Sequence, residues 1–266
     1  MTPLGILGIG ICAPGLEDWE RARSVLRGEC PHEALPLAKL DIPMLPVTER
    51  RRVNATSRLA IHAAMQAVAH LSAEERARLP SVFASADGDG VVLANTLDAL
   101  AQQPITMSPT LFHNSVFNAP SGYWTIASHA NAPSITVSAG AGTFAAGLLE
   151  AGIEILASGM PVLYVACDIA FPESLHAFAV KGSAFACALL LAPSTPAATD
   201  YGRITGWSQP LQNRQPHAKP APSIAHFRGN PAAAALPLLE AVARGTAASI
   251  VLPYLDGGSI ALAYLP

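Results

Sequence analysis

The sequence is poor in charge. Asp, Glu, Lys and Arg make up 13% of its 266 residues, whereas soluble domains usually carry about 25%. The formal net charge of −3 leaves no basic excess for nucleic acid or an anionic membrane. A hydrophobic share of 51% excludes intrinsic disorder. Because so little charge is available to solvate the surface, we expect another protein chain to cover part of it.

Several site motifs are also absent. The four cysteines form no CxxC pair, and neither HExxH nor GxSxG occurs, so zinc binding and serine hydrolysis have no local support. We therefore expect no metal and no cofactor. No run of about 20 uninterrupted apolar residues and no signal-peptide pattern is present, which predicts a cytoplasmic protein without a membrane span. Buried thiols suit that reducing compartment, and three cysteines stand in apolar runs: Cys12, Cys167 and Cys187.

Two glycine-rich stretches resemble ligand loops only in part. Gly8–Ala13 fits the GxGxx(G/A) dinucleotide fingerprint, but Pro14 and Gly15 delay the following helix, and no acidic residue ends a second strand. A dehydrogenase is therefore the weakest candidate. Asp87–Gly90 lacks the third oxygen ligand and the closing glutamate of a calcium loop, so we interpret it as a turn.

The middle of the chain has no charged residue between Asp98 and Glu150. A surface layer of a monomer would hardly lack charge over such a length, so this region is expected to be central or buried against a partner. It contains His113, for which a hydrogen-bonded core histidine is favoured over a functional one.

Short apolar runs alternate with helical patterns, which predicts an α/β layered fold. The chain is expected to finish in a hairpin over 249–264. The predicted strands lie at Leu4–Ile11, Ser81–Ala86, Ser134–Val137, Val162–Cys167, Phe185–Leu191 and Arg203–Trp207, and the fourth is apolar throughout, as in a parallel sheet covered on both faces. The predicted helices include those over 16–26, 54–70, 144–156 and 231–243. Ser72 with Glu75 predicts a capping box, Gly159 predicts the stop of the helix over 144–156, and residues 210–222 are expected to form a polar loop.

The strand Ser134–Val137, the small-residue turn Ser138–Gly142 and the helix Phe144–Leu156 together predict an elbow. Such an elbow presents a nucleophile at a helix N-terminus, where the dipole lowers a thiol pKa. Here the nucleophile is missing. Cys167, at the end of a buried strand, has no positive neighbour in the sequence, so a buried, inert thiol is favoured there.

The elbow resembles that of the β-ketoacyl synthases of the thiolase superfamily, which carry a stretch like V-T-V-D-T-A-C-S-S-S before a long helix. On that pattern Ser138 takes the Asp position and Ala141 takes the catalytic Cys position. Ala139 and Gly140 take the positions of Thr and Ala. Four further segments resemble the family in order and spacing: Ile6–Pro14, Asn118–Ile126, Val162–Asp168 and Gly182–Leu191.

The resemblance covers residues 3–192, the family's N-terminal half. It implies a thiolase-like layered α/β/α fold, with residues 1–192 as a ketosynthase-like half and 193–266 as an abbreviated C-terminal portion packed on the same domain. The family's chemistry needs a Cys nucleophile and two His, or a His and an Asn, from the C-terminal half. Ala141 cannot be acylated, no HGTGT motif occurs, and His217 and His226 stand in other contexts. The resemblance therefore implies a catalytically silent ketosynthase homologue.

Silent homologues of this kind are chain length factors, which pair with an active β-ketoacyl synthase and shape the tunnel for the growing chain. The segment Ser108–Trp124 resembles the short chain-length-factor-like proteins of aryl polyene clusters. This implies a heterodimer with the synthase, indirect contact with acyl carrier protein, and a homodimer as the alternative when the partner is absent. The candidate tunnel and interface residues are Phe112, His113, Val116, Phe117, Tyr123, Trp124, Ser134 and Thr136. The alternative interpretation, that each aromatic residue simply packs in the core, remains open.

Two other readings also stay open. One is an acyl-transfer or condensing enzyme with a non-standard nucleophile, Cys167 or Cys12. The other is a binding or structural protein of thiolase-like ancestry with no part in polyketide biosynthesis.

Overall fold

The computed structural model describes residues 3–37, 39–176, 182–194, 201–208 and 222–266. Its centre is one mixed eight-stranded sheet in the order β3-β2-β4-β5-β1-β6-β8-β7. β2 runs parallel to β3 and β4, and the other neighbours are antiparallel. The strands are β1 (Leu4–Cys12), β2 (Ser81–Ala84), β3 (Ser134–Val137), β4 (Val162–Asp168), β5 (Phe185–Pro193), β6 (Arg203–Ser208), β7 (Ala248–Pro253) and β8 (Ser259–Leu265).

Helices cover both faces of this sheet. The α-helices are α1 (Trp19–Arg27), α2 (Val47–Arg50), α3 (Ala55–Ala67), α4 (Ala73–Ala77), α5 (Gly90–Ala101), α6 (Pro109–Asn114), α7 (Ala119–Ser128), α8 (Thr143–Ser158) and α9 (Leu236–Arg244). One core, around Phe144 and Tyr164, lies between the sheet and α1, α8 and α9. The other, around Phe83 and Trp124, lies between the sheet and α3 and α7. The layers are therefore α/β/α, and the thiolase-like fold class is confirmed.

The fingerprint-like glycines of β1 serve close packing. A Cβ at Gly8 would overlap the carbonyl oxygen of Ala67, and a Cβ at Gly10 would overlap that of Ala63. Both carbonyls belong to α3, whose backbone crosses directly over β1. The glycines let the helix approach the strand, which explains the Gly-x-Gly pattern without a nucleotide.

The described residues 201–208 and 222–266, which we call the C-terminal segment, extend the same sheet. β6 pairs with β1 at Leu4↔Ile204 and with β8 at Ile204↔Tyr264. β7 and β8 form the expected antiparallel hairpin. α9 packs on α1 and ends at Gly245, which adopts the left-handed conformation typical of a helix stop. The division of the chain at residue 192 stays a prediction.

Most element boundaries follow the sequence patterns, but two helices begin later than predicted. The first helix begins at Trp19, because Asp18 caps it, and not at Leu16. The helix expected at Pro231 opens as a 3-10 turn and becomes α-helical only at Leu236. β4 is buried on both faces as its apolar run predicts, but it lies between a parallel and an antiparallel neighbour. The polar loop predicted over 210–222 lies almost wholly outside the described residues.

One described helical stretch, Gly140–Ser158, is long and apolar enough to cross a membrane by length and composition. Half of it is buried inside the chain, where α8 packs on β2, β4 and β5. Gly147 allows that contact, since a Cβ there would lie 2.6 Å from the Tyr164 ring and 2.8 Å from the Ala84 methyl group. The core helix of a layered fold passes the same length and composition test.

Candidate functional site

The predicted elbow joins β3 to α8. The Ser138 hydroxyl donates to the Ala86 carbonyl at 2.7 Å, which ties the end of β3 to the end of β2. The Thr143 hydroxyl accepts from the Ala139 N–H at 3.0 Å and donates to the Gly140 carbonyl at 2.7 Å. Gly140 has a φ of 52°, a conformation that favours glycine. The turn is thus held at both ends by short side chains, as the small-residue run predicts.

Ala141 is exposed at the start of this helix, next to a mostly apolar cavity of about 290 Å³. The cavity is walled by the C-terminal segment, including Phe227, Leu236 and Val251. A Cβ at Gly142 would lie 2.9 Å from the Tyr254 backbone, so the elbow and the C-terminal segment pack in direct contact. A helix N-terminus beside a cavity can hold a reactive side chain, but the methyl group of Ala141 supplies no chemistry there.

A buried carboxyl group lies beside the elbow. The Oδ1 of Asp168, at the end of β4, accepts from the Ser85 hydroxyl at 2.9 Å and from the Ala86 N–H at 2.7 Å. Its Oδ2 has no hydrogen-bond partner among the described residues. Burial raises the pKa of Asp168 to about 7, and the charge of Asp87 adds to the rise, while the two hydrogen bonds oppose it. The Asn230 side chain donates to the Asp168 carbonyl at 2.9 Å and so joins the C-terminal segment to this cluster.

The two thiols considered as alternative nucleophiles, Cys167 and Cys12, are poorly suited to that role. Cys167 is buried, its thiol lies 3.5 Å from the Thr56 carbonyl oxygen, and burial and the nearby Asp168 raise its pKa well above the ordinary value. Burial and the charge of Glu17 raise the pKa of Cys12 to about 12. Both thiols therefore stay protonated at neutral pH. Within the described ranges, no group of three or more His, Cys, Asp or Glu side chains could hold a metal ion.

β3 forms one edge of the sheet, so one side of its backbone has no strand partner in the described structure. The Ser134 hydroxyl lies 2.8 Å from that of Ser81, and the Thr136 hydroxyl lies 3.2 Å from that of Ser121. These contacts fix the strand to β2 and α7. An unpaired edge of this kind is a ready template for pairing with another chain.

Exposed apolar side chains are concentrated in α5, in α6 and in the residues between α5 and α7, and we call this group the apolar patch. Phe112 is 66% exposed, Ile105 60% and Leu100 50%. The patch also includes Leu97, Val116 and Phe117. The uncharged region that contains most of these residues was predicted to be central or buried against a partner. In the single chain this part of it is exposed and not central, and its burial against a partner stays a prediction.

Two of the predicted tunnel or interface residues lie inside the chain. Tyr123 and Trp124 are 1% and 0% exposed and pack in the core beneath α3. The Tyr123 hydroxyl donates to the Asn114 side chain at 3.0 Å, and the ring of exposed His113 stands edge-on to Tyr123 at 5.5 Å between centroids. Neither buried aromatic reaches a surface that a partner could contact. His113 is a surface residue, which corrects the expectation of a core histidine.

A second cavity of about 290 Å³ lies beside the apolar patch, between α5 and the start of α7. Val116 and Phe117 line it, whereas Phe112 and His113 do not. Phe117 also lines a void of about 10 Å³ behind the cavity, next to Thr136 and Cys167. We call the larger space the interface cavity. Sequence reasoning missed most of its polar wall, which consists of Asn54, Thr56, Ser85, Asp87, Asp89, Thr96, Asn114 and Ser115.

The two C-terminal histidines named from the sequence have different outcomes. His226 is exposed and directly precedes Phe227, which lines the cavity beside the elbow. Its Nε2 lies 2.6 Å from the Ser183 hydroxyl, and the centroid of its ring lies 5.9 Å from that of His32. His217 lies outside the described residues.

The comparisons agree with this geometry. The profile of the family described as β-ketoacyl synthase, N-terminal domain, matches residues 19–248. The chain belongs to this family. No curated protein matches it.

Several solved structures are similar to this chain over most of its length. The complex of a ketosynthase (ApeO) with its chain length factor (ApeC) from Xenorhabdus doucetiae contains a chain 25% identical, with a TM-score of 0.74, over 98% of this chain and 99% of that one. The ishigamide ketosynthase/chain length factor matches at 12% identity and a TM-score of 0.73, over 99% of each chain. A ketosynthase of the bacillaene synthase from Bacillus amyloliquefaciens matches at 15% identity and 0.57, over 83% of this chain but 48% of that one. The last two show the shared fold alone.

Proposed function

We propose that the chain is a non-catalytic chain length factor that pairs with an active β-ketoacyl synthase. The observation that carries the proposal is the elbow with Ala141, which takes the family's cysteine position in the sequence resemblance. Ser138 and Thr143 hold the turn by hydrogen bonds, and the methyl group of Ala141 offers nothing that an acyl group could be transferred to. The structural similarity to a ketosynthase–chain length factor complex supports the same conclusion.

The competing proposal, an acyl-transfer enzyme with Cys167 as nucleophile, has the burial of that thiol against it. A nucleophilic cysteine needs access to the acyl thioester and a lowered pKa. Cys167 has neither, and Cys12 is equally buried. We therefore assign the complex's condensation chemistry to the partner.

The partner surface that we propose combines the β3 edge with the apolar patch. An edge strand can extend the sheet across a two-fold axis, and the patch supplies uncharged surface for an obligate interface. In the absence of the synthase, two copies of this chain would cover the same surface, so a homodimer is the alternative form. Acyl carrier protein is expected to act through the synthase, in the cytoplasm.

The interface cavity is the part of the proposed tunnel that this chain supplies. It opens beside the patch that the synthase would cover, and its apolar wall suits an acyl or polyene chain of the kind made in fatty-acid or aryl polyene biosynthesis. Phe117, which separates the cavity from the void behind it, is the residue that we propose to limit chain length.

The test is reconstitution with the synthase and its acyl carrier protein. In that complex Phe117→Ala should yield products longer by at least one extension cycle, because loss of the ring adds the volume of the ring itself to the cavity and joins the cavity to the small void behind it. Leu156→Ala is the control, since Leu156 is an exposed apolar residue of α8 that lines neither cavity and lies outside the apolar patch. Equal product lengths from both variants would refute the assignment of Phe117. A stable acyl adduct on this chain after incubation with an acyl thioester would refute the non-catalytic role.

A further inference from the structure

Residues 90–118, which we call the flap, are all described by the structure and belong to neither of its two hydrophobic cores. The flap consists of α5, α6 and the segments that join them to each other and to α7. Its four buried residues are Gly90, Val92, Ala99 and Asn114. α5 buries three of its twelve residues, whereas α3, a helix of similar length, buries eight of thirteen. The flap therefore gains little of the hydrophobic stabilisation that holds the core elements together.

The start of the flap is anchored beside a glycine turn. The Asp89 carboxylate, just before α5, accepts from the Thr56 N–H at 3.2 Å and from its hydroxyl at 3.1 Å. The ring of Phe171 packs closely on Gly90, where a Cβ would overlap it. The preceding turn contains Gly88 at a φ of 73°, a conformation that favours glycine. The first residues of α5 are thus fixed to the rest of the chain next to a turn that suits a hinge.

Asn114 attaches the other end of the flap. Its side chain donates to the Arg52 carbonyl at 2.7 Å and accepts from the Tyr123 hydroxyl at 3.0 Å. The side-chain nitrogen of Asn54 lies 3.5 Å from the Asn114 carbonyl oxygen. Within the described ranges, every hydrogen bond between the flap and a part of the chain distant in sequence involves Asn114. A segment with so few buried contacts opens at a much lower free-energy cost than the core elements.

The interface cavity lies between the flap and the rest of the chain. Its flap side includes Leu93 and Phe117, and its opposite side includes Thr56 and Ser85. Opening of the flap therefore opens the cavity. Phe117 also lines the small void together with Thr136 of β3, so the flap adjoins the sheet edge that we propose the synthase to pair with.

From these observations we propose that the flap opens and closes in the free chain and that the synthase holds it closed. The whole apolar patch lies on the flap, so a partner that covers the patch supplies the hydrophobic contacts that the single chain lacks. The interface cavity then takes its final shape only in the complex. This inference rests on the proposed function, because the synthase is what covers the flap.

The test is hydrogen exchange read by mass spectrometry, on the chain alone and on its complex with the synthase. The free chain is measured at a concentration at which native mass spectrometry shows a monomer, because a homodimer would also cover the patch. We expect the amides of α5 to be at least about a hundredfold less protected than those of α3 in the free chain, and to gain at least about tenfold in protection in the complex.

A pair of variants tests the attachment. Asn114→Ala should speed exchange across the flap of the free chain at least about threefold further, because it removes the hydrogen bonds to Arg52 and Tyr123. Asn95→Ala is the matched control and should leave that exchange nearly unchanged, since Asn95 is exposed on α5 and does not line the cavity. Equal effects of the two variants would overturn the inference.

Two results with the unaltered chain would also overturn it. One is equal protection of α5 and α3 in the free monomer, and the other is a flap that exchanges equally fast in the free chain and in the heterodimer. Both leave the proposed function standing when native mass spectrometry shows that the heterodimer has formed. Absence of the heterodimer would instead refute the proposed function, and with it the closing of the flap by the synthase.

Discussion

Replacing Asp168 by Asn should change how the protein's stability depends on pH. The folded chain holds this carboxyl with a pKa of about 7, against an ordinary value of 3.8, and burial is the largest cause. Between pH 4 and pH 7 the folded state therefore keeps a proton that the unfolded state has released. It follows that the free energy of unfolding contributed by Asp168 falls as the pH rises through this window.

The magnitude follows from the two pKa values. The interval from 3.8 to about 7 corresponds to ~4 kcal/mol at 25 °C, lost progressively between pH 4 and pH 7 and constant above it. Asn keeps the acceptor that Ser85 and Ala86 use, and it carries no charge. An unpartnered amide N–H₂ group costs up to about 3 kcal/mol at every pH. The variant should therefore be less stable than the parent near pH 4 by up to that amount, and more stable than the parent at pH 8 by roughly 1–4 kcal/mol.

The assay is urea unfolding followed by circular dichroism at half-unit steps from pH 4 to pH 8, at one protein concentration so that self-association stays constant. Asp98→Asn is the control, because the same change on an exposed helix face should leave the pH dependence unaltered. If the parent and Asp168→Asn lose stability in parallel over this range, Asp168 does not titrate there and the description of the cluster is wrong.

Three further changes test other contacts. Gly10→Ala should destabilise the chain by about 1–3 kcal/mol in the same urea assay, because its methyl group would overlap an α3 carbonyl, and an unchanged midpoint would contradict that packing. Tyr123→Phe should cost about 1–3 kcal/mol, because it leaves the buried Asn114 oxygen unpaired; a neutral result would show that the bond contributes little. In the Ala141→Cys variant, iodoacetamide should alkylate the new cysteine faster than the native, half-buried Cys30, because position 141 is exposed at a helix N-terminus. Slower labelling of the new cysteine would contradict the elbow geometry.

Local sequence patterns correctly predicted the elements that depend on interactions between residues close in the chain. The capping box at Ser72 and Glu75, the stop at Gly159 and the terminal hairpin all occur where the sequence predicts them. Each depends on interactions between residues close in the chain. The elbow also belongs to this group, since small residues and Thr143 determine its turn.

The site depends on contacts that a sequence pattern cannot give. The uncharged region was predicted to be central or partner-facing, yet Trp124 is in the core while Phe112, only twelve positions earlier, is exposed. Hydrophobicity alone does not say which face of a short helix meets its own sheet. The burial of Asp168 arises because the ends of β2 and β4 meet beside a segment more than 50 residues away in sequence, and no local signal predicts it.

Native mass spectrometry of the chain, expressed alone and together with the ketosynthase from its own gene neighbourhood, tests the central claim most directly. The account predicts a one-to-one heterodimer that displaces any self-association of this chain, because the apolar patch and the β3 edge are then covered by the synthase. A monomer or homodimer that persists in the presence of that ketosynthase would contradict it.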